Sequence, residues 1–124
     1  MSPIDAKTRE QIVANVVAAR EGRTTFLAQM KERQKQGWQA AHKAAVTLKE
    51  GFGATRVVLF GSMLDHEHMT WHSDLDLAVW GIQAEDYLRA GVAVEKGHPF
   101  TIDLIDAETA PPHILEAIHQ GIEL

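Results

Sequence analysis

Arg56-Val-Val-Leu-Phe-Gly61-Ser62, an eleven-residue spacer, and Asp74-Leu-Asp76-Leu-Ala-Val79 form the most informative unit of this 124-residue chain. One apolar run stops abruptly at Gly-Ser, and the next begins with two acids one residue apart. That is the pattern of two strands feeding one polar site. Side chains alternate along a strand, so Asp74 and Asp76 are expected on one side while Leu75 and Leu77 enter the core. Two adjacent carboxylates repel unless a cation lies between them. A hard divalent ion such as Mg2+ takes oxygen ligands and is commonly held by one or two carboxylates together with substrate phosphates. Gly61 permits close approach of backbone to a ligand. Ser62 adds a hydroxyl and is expected to open a helical turn whose N–H groups favour an anion.

A third acid comes from Phe100-Thr-Ile-Asp103-Leu-Ile-Asp106. Asp103 should point away from Ile102 and Leu104, and so toward the site if its strand pairs beside the first acidic one. Asp106, at the end of the run before Ala-Glu-Thr-Ala-Pro-Pro, reads instead as a turn or cap residue.

Gly-Ser, a spacer, Asp-x-Asp with apolar neighbours and a later apolar-Asp-apolar strand together resemble the nucleotidyltransferase fold of the polymerase-β type. The short length and the ending Ile114-Leu-Glu-Ala-Ile118-His-Gln-Gly121-Ile-Glu-Leu are most similar to the minimal nucleotidyltransferase (MNT) family. The likeness spans roughly residues 40–124. The spacer Met63–Ser73 departs from the family in being one residue longer than usual and in lacking its arginine and glycine.

The resemblance implies an α/β (α+β) domain with a short mixed sheet of three to five strands, helices packed on one face and the carboxylates at an exposed end. It also implies two-metal nucleotidyl transfer with ATP as substrate. Asp74, Asp76 and Asp103 are the expected catalytic and Mg2+-binding residues, with Gly61 and Ser62 holding the β- and γ-phosphates. Relatives of this kind usually act as antitoxins beside HEPN-type ribonuclease toxins, transferring AMP to a toxin tyrosine. Two other classes stand beside that one: an antitoxin that has lost catalysis and works by occlusion, and a small-molecule nucleotidyltransferase completed by a dimer partner.

Composition narrows the field further. The length suits one folded unit able to bury a core without covalent staples. With no cysteines, disulfide frameworks and thiolate metal sites are excluded. No basic-then-apolar leader opens the sequence and no apolar run approaches the ~18 residues of a membrane span, so a cytoplasmic protein is expected. Residues 1–56 carry ten basic against five acidic side chains, a net of +5; residues 57–124 carry two against twelve, a net of −10. The acidic half argues against gripping a nucleic acid and fits a site that receives phosphates through bound metal.

Ahead of the Gly-Ser stretch the sequence reads as helical. Ser2 and Pro3 can cap and open a helix carrying Ile12, Val13, Val16 and Val17 on one stripe. A break is expected at Gly22, a new cap at Thr24 or Thr25, and a second break near Gly37, before a segment with Ala41, Ala44, Ala45 and Leu48 that stops at Gly51 or Gly53. Residues 1–38 are thus an N-terminal helical appendage and 39–124 the catalytic domain. The apolar stripe of the appendage either packs on that domain or meets another chain.

Strands are expected over Thr55–Phe60, Leu75–Trp80 and Thr101–Ile105. A helix over Gln83–Val94 should turn Tyr87, Leu88 and Val92 inward. A last helix opens at Pro111-Pro112 with Ile114, Leu115 and Ile118 buried, Gly121 ends it, and Ile122-Glu-Leu124 adds a short edge strand. His66, His68 and His72 in the spacer fit no closed tetrahedral zinc pattern and read as polar loop residues. Trp71 reads as a loop anchor, with stacking on a base as the alternative.

Overall fold

The computed structural model describes residues 6–124, so the cap expected at Ser2-Pro3 lies outside the described residues. Helix α1 (Ala6–Gly51) leads into strand β1 (Arg56–Phe60). Strand β2 (Leu75–Trp80), helix α2 (Tyr87–Val94), strand β3 (Ile102–Asp106), helix α3 (Pro112–His119) and strand β4 (Ile122–Glu123) follow. The four strands form one mixed sheet in the order β3-β2-β1-β4, parallel between β2 and β3 and antiparallel elsewhere. The chain is therefore of mixed α+β class.

The breaks expected at Gly22 and Gly37 are absent. A single helix of 46 residues runs through both. An interior glycine weakens a helix by about 1 kcal/mol, which tertiary packing readily offsets. At Gly37 the packing is specific: a Cβ there would stand 2.7 Å from Met63 Sδ and 3.1 Å from its Cε. The glycine lets the helix settle on the Gly-Ser loop. Met30, Gly37, Ala40, Ala41, Ala44, Ala45 and Leu48 follow the helical period and are buried. Burial thus begins near Phe26, well before residue 38, and residues 6–25 are exposed throughout.

The sheet has two differently clothed faces. Val57, Leu59, Leu75, Leu77, Val79 and Ile102 pack under α1 and α2. On the reverse, Val58, Phe60 and Ala78 meet Ile118 of α3, flanked by Trp80, Ile105, Ile114 and Leu115. Helices therefore cover both faces, which corrects the expectation of helices on one. The reason is the last segment: Gly121 brings the chain so close that a Cβ would stand 2.6 Å from both Leu59 O and Val58 Cγ1. That approach lets β4 pair with β1 (Val58↔Glu123, Leu59↔Ile122) and holds α3 over the reverse face.

Helix α2 also differs from expectation. Ala90 and Val94 are its buried residues, Tyr87 is half-buried against the core, and Leu88 and Val92 face outward, 82% and 59% exposed. A separate 3-10 turn over Ala84–Asp86 precedes the helix and shifts its phase from the one that a continuous helix from Gln83 would have.

Candidate functional site

Strand alternation builds the site. In β2, Leu75, Leu77 and Val79 are wholly buried on the α1 side, so Asp76 projects to the reverse face, as does Asp74 just ahead of the strand. In the parallel pairing of β2 with β3, Asp76 is the register partner of Asp103. Register partners in a sheet put their side chains on the same face, on strands roughly 4.8 Å apart. The three acids therefore share one face, at the end of the sheet beyond the area covered by α3. Asp74 and Asp103 are exposed and Asp76 is half-buried.

Their mutual charge shows in Asp76. Burial, then the carboxylate of Asp103, then that of Asp74, push its pKa from the ordinary 3.8 up to about 6. All three causes disfavour the charged form, and a cation among the acids would reverse the sign of the electrostatics.

β1 brings the Gly-Ser bend to the same place. Phe60 pairs with Asp76, so Gly61 leaves the sheet alongside that carboxylate. Its φ of +86° and ψ of −156° lie in a region used almost solely by glycine, and a Cβ there would run into Asp76 Oδ2. Ser62, half-buried, is the first residue of the 3-10 turn Ser62–Leu64.

The loop between the two strands is fastened by α1. Gln34 Nε2 and Trp38 Nε1 both donate to the carbonyl of Met63, at 3.1 and 2.8 Å. Arg33 donates from Nη2 to the Ser73 carbonyl at 3.4 Å, a long contact, while its guanidinium lies over the Phe100 ring at 4.7 Å. Arg33 thus spans the entries of β2 and β3, the two strands that carry the acids. Within the loop, buried Ser73 accepts at Oγ from Thr70 N at 2.9 Å. Asp65 accepts from Glu67 N at 3.0 Å and pairs with His68 Nδ1 at 2.8 Å. Those contacts, the backbone one foremost, hold the Asp65 carboxyl below its ordinary pKa. His68 is accordingly a loop-structuring residue. Trp71 stands edge-on to Phe26 with ring centroids 6.5 Å apart, half exposed.

The sequence reading missed Arg33 and Gln34, and took Trp38 as a core or interface residue without its bond to the loop. A signal was present. Arg33 and Gln34 fall between Met30 and Gly37 on what is otherwise the apolar stripe of α1, and polar groups on a buried stripe ordinarily have partners. Asp106 behaves as expected of a turn residue, accepting from Glu108 N at 3.0 Å and Thr109 Oγ1 at 3.1 Å. It faces α2, where burial first and then Asp106 raise the Tyr87 pKa.

The donors suit a hard divalent cation, being carboxylate oxygens at a point where charges of one sign accumulate. As the side chains stand, among the described residues no three His, Cys, Asp or Glu are gathered closely enough to enclose a metal ion. The spacer histidines do not form such a group either. No helix of the described residues is long and apolar enough to cross a membrane. No protein-family model matches the chain, and no curated protein is similar enough to count as a match.

Proposed function

We propose that the chain is a metal-dependent nucleotidyltransferase that moves AMP from ATP to a hydroxyl, the side chain of a tyrosine on a cognate HEPN-type ribonuclease toxin, and so acts as its antitoxin. The observation that carries this reading is the alignment of Asp76 with Asp103 across parallel strands, with Gly61 against the Asp76 carboxylate. From Val57 to Leu88 the sequence has no lysine or arginine. A triphosphate approaching three carboxylates there needs its charge neutralised by something other than those residues. Asp74, Asp76 and Asp103 are the residues that would hold Mg2+, and the ion would supply that neutralisation and polarise the phosphates.

The residues then divide the work. Asp74 and Asp76 orient the cation side of the triphosphate, and Gly61 and Ser62 offer backbone and hydroxyl contacts to the β- and γ-phosphates. Asp103 faces the incoming hydroxyl. The hydroxyl oxygen bonds to the α-phosphorus, the bond to the β-phosphate oxygen breaks, pyrophosphate leaves, and the hydroxyl proton passes to Asp103. The polymerase-β-like fold belongs to this same proposal.

One competing reading rests on the open carboxylates and the spacer without arginine or glycine: an antitoxin that occludes its partner and transfers nothing. Incubation with ATP labelled at the α-phosphate, Mg2+ and the product of the neighbouring gene separates the readings. Label on that protein, lost in Asp74→Ala/Asp76→Ala, is the expected result. A neutralised but unlabelled partner means occlusion. Label on added small molecules alone means a small-molecule transferase.

A further inference from the structure

The first twenty described residues of α1 form a helical arm about 30 Å long. Ile12, Val13, Val16 and Val17 lie along it, between 45% and 59% exposed. Helical segments draw most of their stability from packing an amphipathic face, and β-branched residues are weak helix formers alone. This stripe is therefore built to be covered. Basic residues stand three positions outside it at each end, Arg9 before Ile12 and Arg20 after Val17.

The body carries a complementary feature. Leu88 and Val92, four residues apart on α2, are the exposed apolar pair there. Exposed Glu85 stands three positions before Leu88; Glu95, three positions after Val92, already accepts from Ile102 N at 3.0 Å, and Lys96 follows it. Apolar centre matches apolar centre, and the anion at Glu85 matches a cationic end of the arm.

The two stripes cannot meet within one molecule. α2 lies against the other end of α1, with Arg89 over the Phe52 ring at 6.0 Å and Val94 in a groove with Ala40 and Ala44. Val17 to Ala40 along a continuous helix is about 35 Å.

We propose that the arm of one copy docks on α2 of a second copy, and that the exchange is reciprocal. Two such contacts related by a two-fold axis close into a dimer with no stripe left over. This inference is independent of the catalytic reading.

The test is sedimentation equilibrium of the full chain over a wide concentration range, at low and at high salt. A dimer weakened by salt is expected. Val16→Asp and Leu88→Asp should each raise its dissociation constant by about a hundredfold to ten-thousandfold, because the two-fold dimer carries each lost aliphatic contact twice. Both sites are exposed in the monomer, and circular dichroism of each variant should match the parent. Glu85→Lys should weaken the dimer severalfold, and either Arg9→Glu or Arg20→Glu added to it should restore affinity, identifying the direction of docking. A monomer at every concentration overturns the proposal, including one that binds anionic lipid vesicles instead. So does dissociation by Val16→Asp but not Leu88→Asp, which would mean that arms pair with arms. Failure of both charge exchanges to restore affinity overturns it as well.

Discussion

The two faces of the sheet are made by the same strands and treat burial in opposite ways. On the α1 side, Leu75, Leu77 and Val79 of β2 are completely covered. One residue out of phase, Asp76 lies on the reverse face, half-buried beside Asp103 and Asp74. α3 covers only the Val58, Phe60 and Ala78 part of that face, leaving the acids at its end. A fold gains nothing from like charges gathered beside a half-buried carboxylate. The α1 face is given wholly to packing, whereas the reverse face packs only under α3 and at its other end holds a polar site that costs stability.

The largest test of that division is on the covered face. Leu77→Ala should destabilise the protein by about 2–5 kcal/mol, the range for a fully buried leucine, measured by chemical denaturation. It should act on stability rather than on Mg2+ affinity in the fraction that remains folded. Next is Gly61→Ala at the rim of the acidic face. A Cβ meets Asp76 Oδ2 and the backbone is outside the range of alanine, so a loss of about 2–4 kcal/mol is expected, together with lost labelling of the acceptor. Gly37→Ala sharpens the contrast. The obstacle is the flexible end of Met63, so about 1 kcal/mol is expected, with the loop held by Gln34 and Trp38 still in place.

Asp76→Asn should have the opposite sign. Without divalent cations at pH 7.5 it should stabilise the fold by about 1 kcal/mol once solvent screening is allowed for, while abolishing transfer. The pH dependence follows from the raised pKa. Between the unfolded value of 3.8 and the folded value of about 6, the folded protein holds its proton more tightly than the unfolded chain does. The stabilisation from Asp76 is thus full below the lower value, is lost as pH rises through the upper one, and is flat beyond. In chelator, the melting temperature of wild type minus that of Asp76→Asn should fall across this window and level off above it.

Much of this was legible in the sequence because strand alternation is a strict rule. β2 is found at the expected residues, β3 one residue later than expected, and Asp74, Asp76 and Asp103 fall on the side that alternation assigns. What could not be read depended on contacts distant along the chain. Gly37 looks like a helix break until Met63 is placed beneath it, and Gly22 is carried along within the same helix. Leu88 and Val92 look inward by composition, yet Ala90 and Val94 take the core because small residues let α2 lie close to α1. The placement of α3 on the reverse face rested on the close approach at Gly121.

The most direct measurement is an NMR titration of the Asp76 side-chain carboxyl carbon, with and without Mg2+. A midpoint near pH 6 in chelator that moves down when Mg2+ is added is expected, with a smaller shift on Mg2+ addition in Asp103→Asn. A midpoint near 3.8 in chelator, or one near 6 that Mg2+ leaves unmoved, would contradict a cation site shared by these acids.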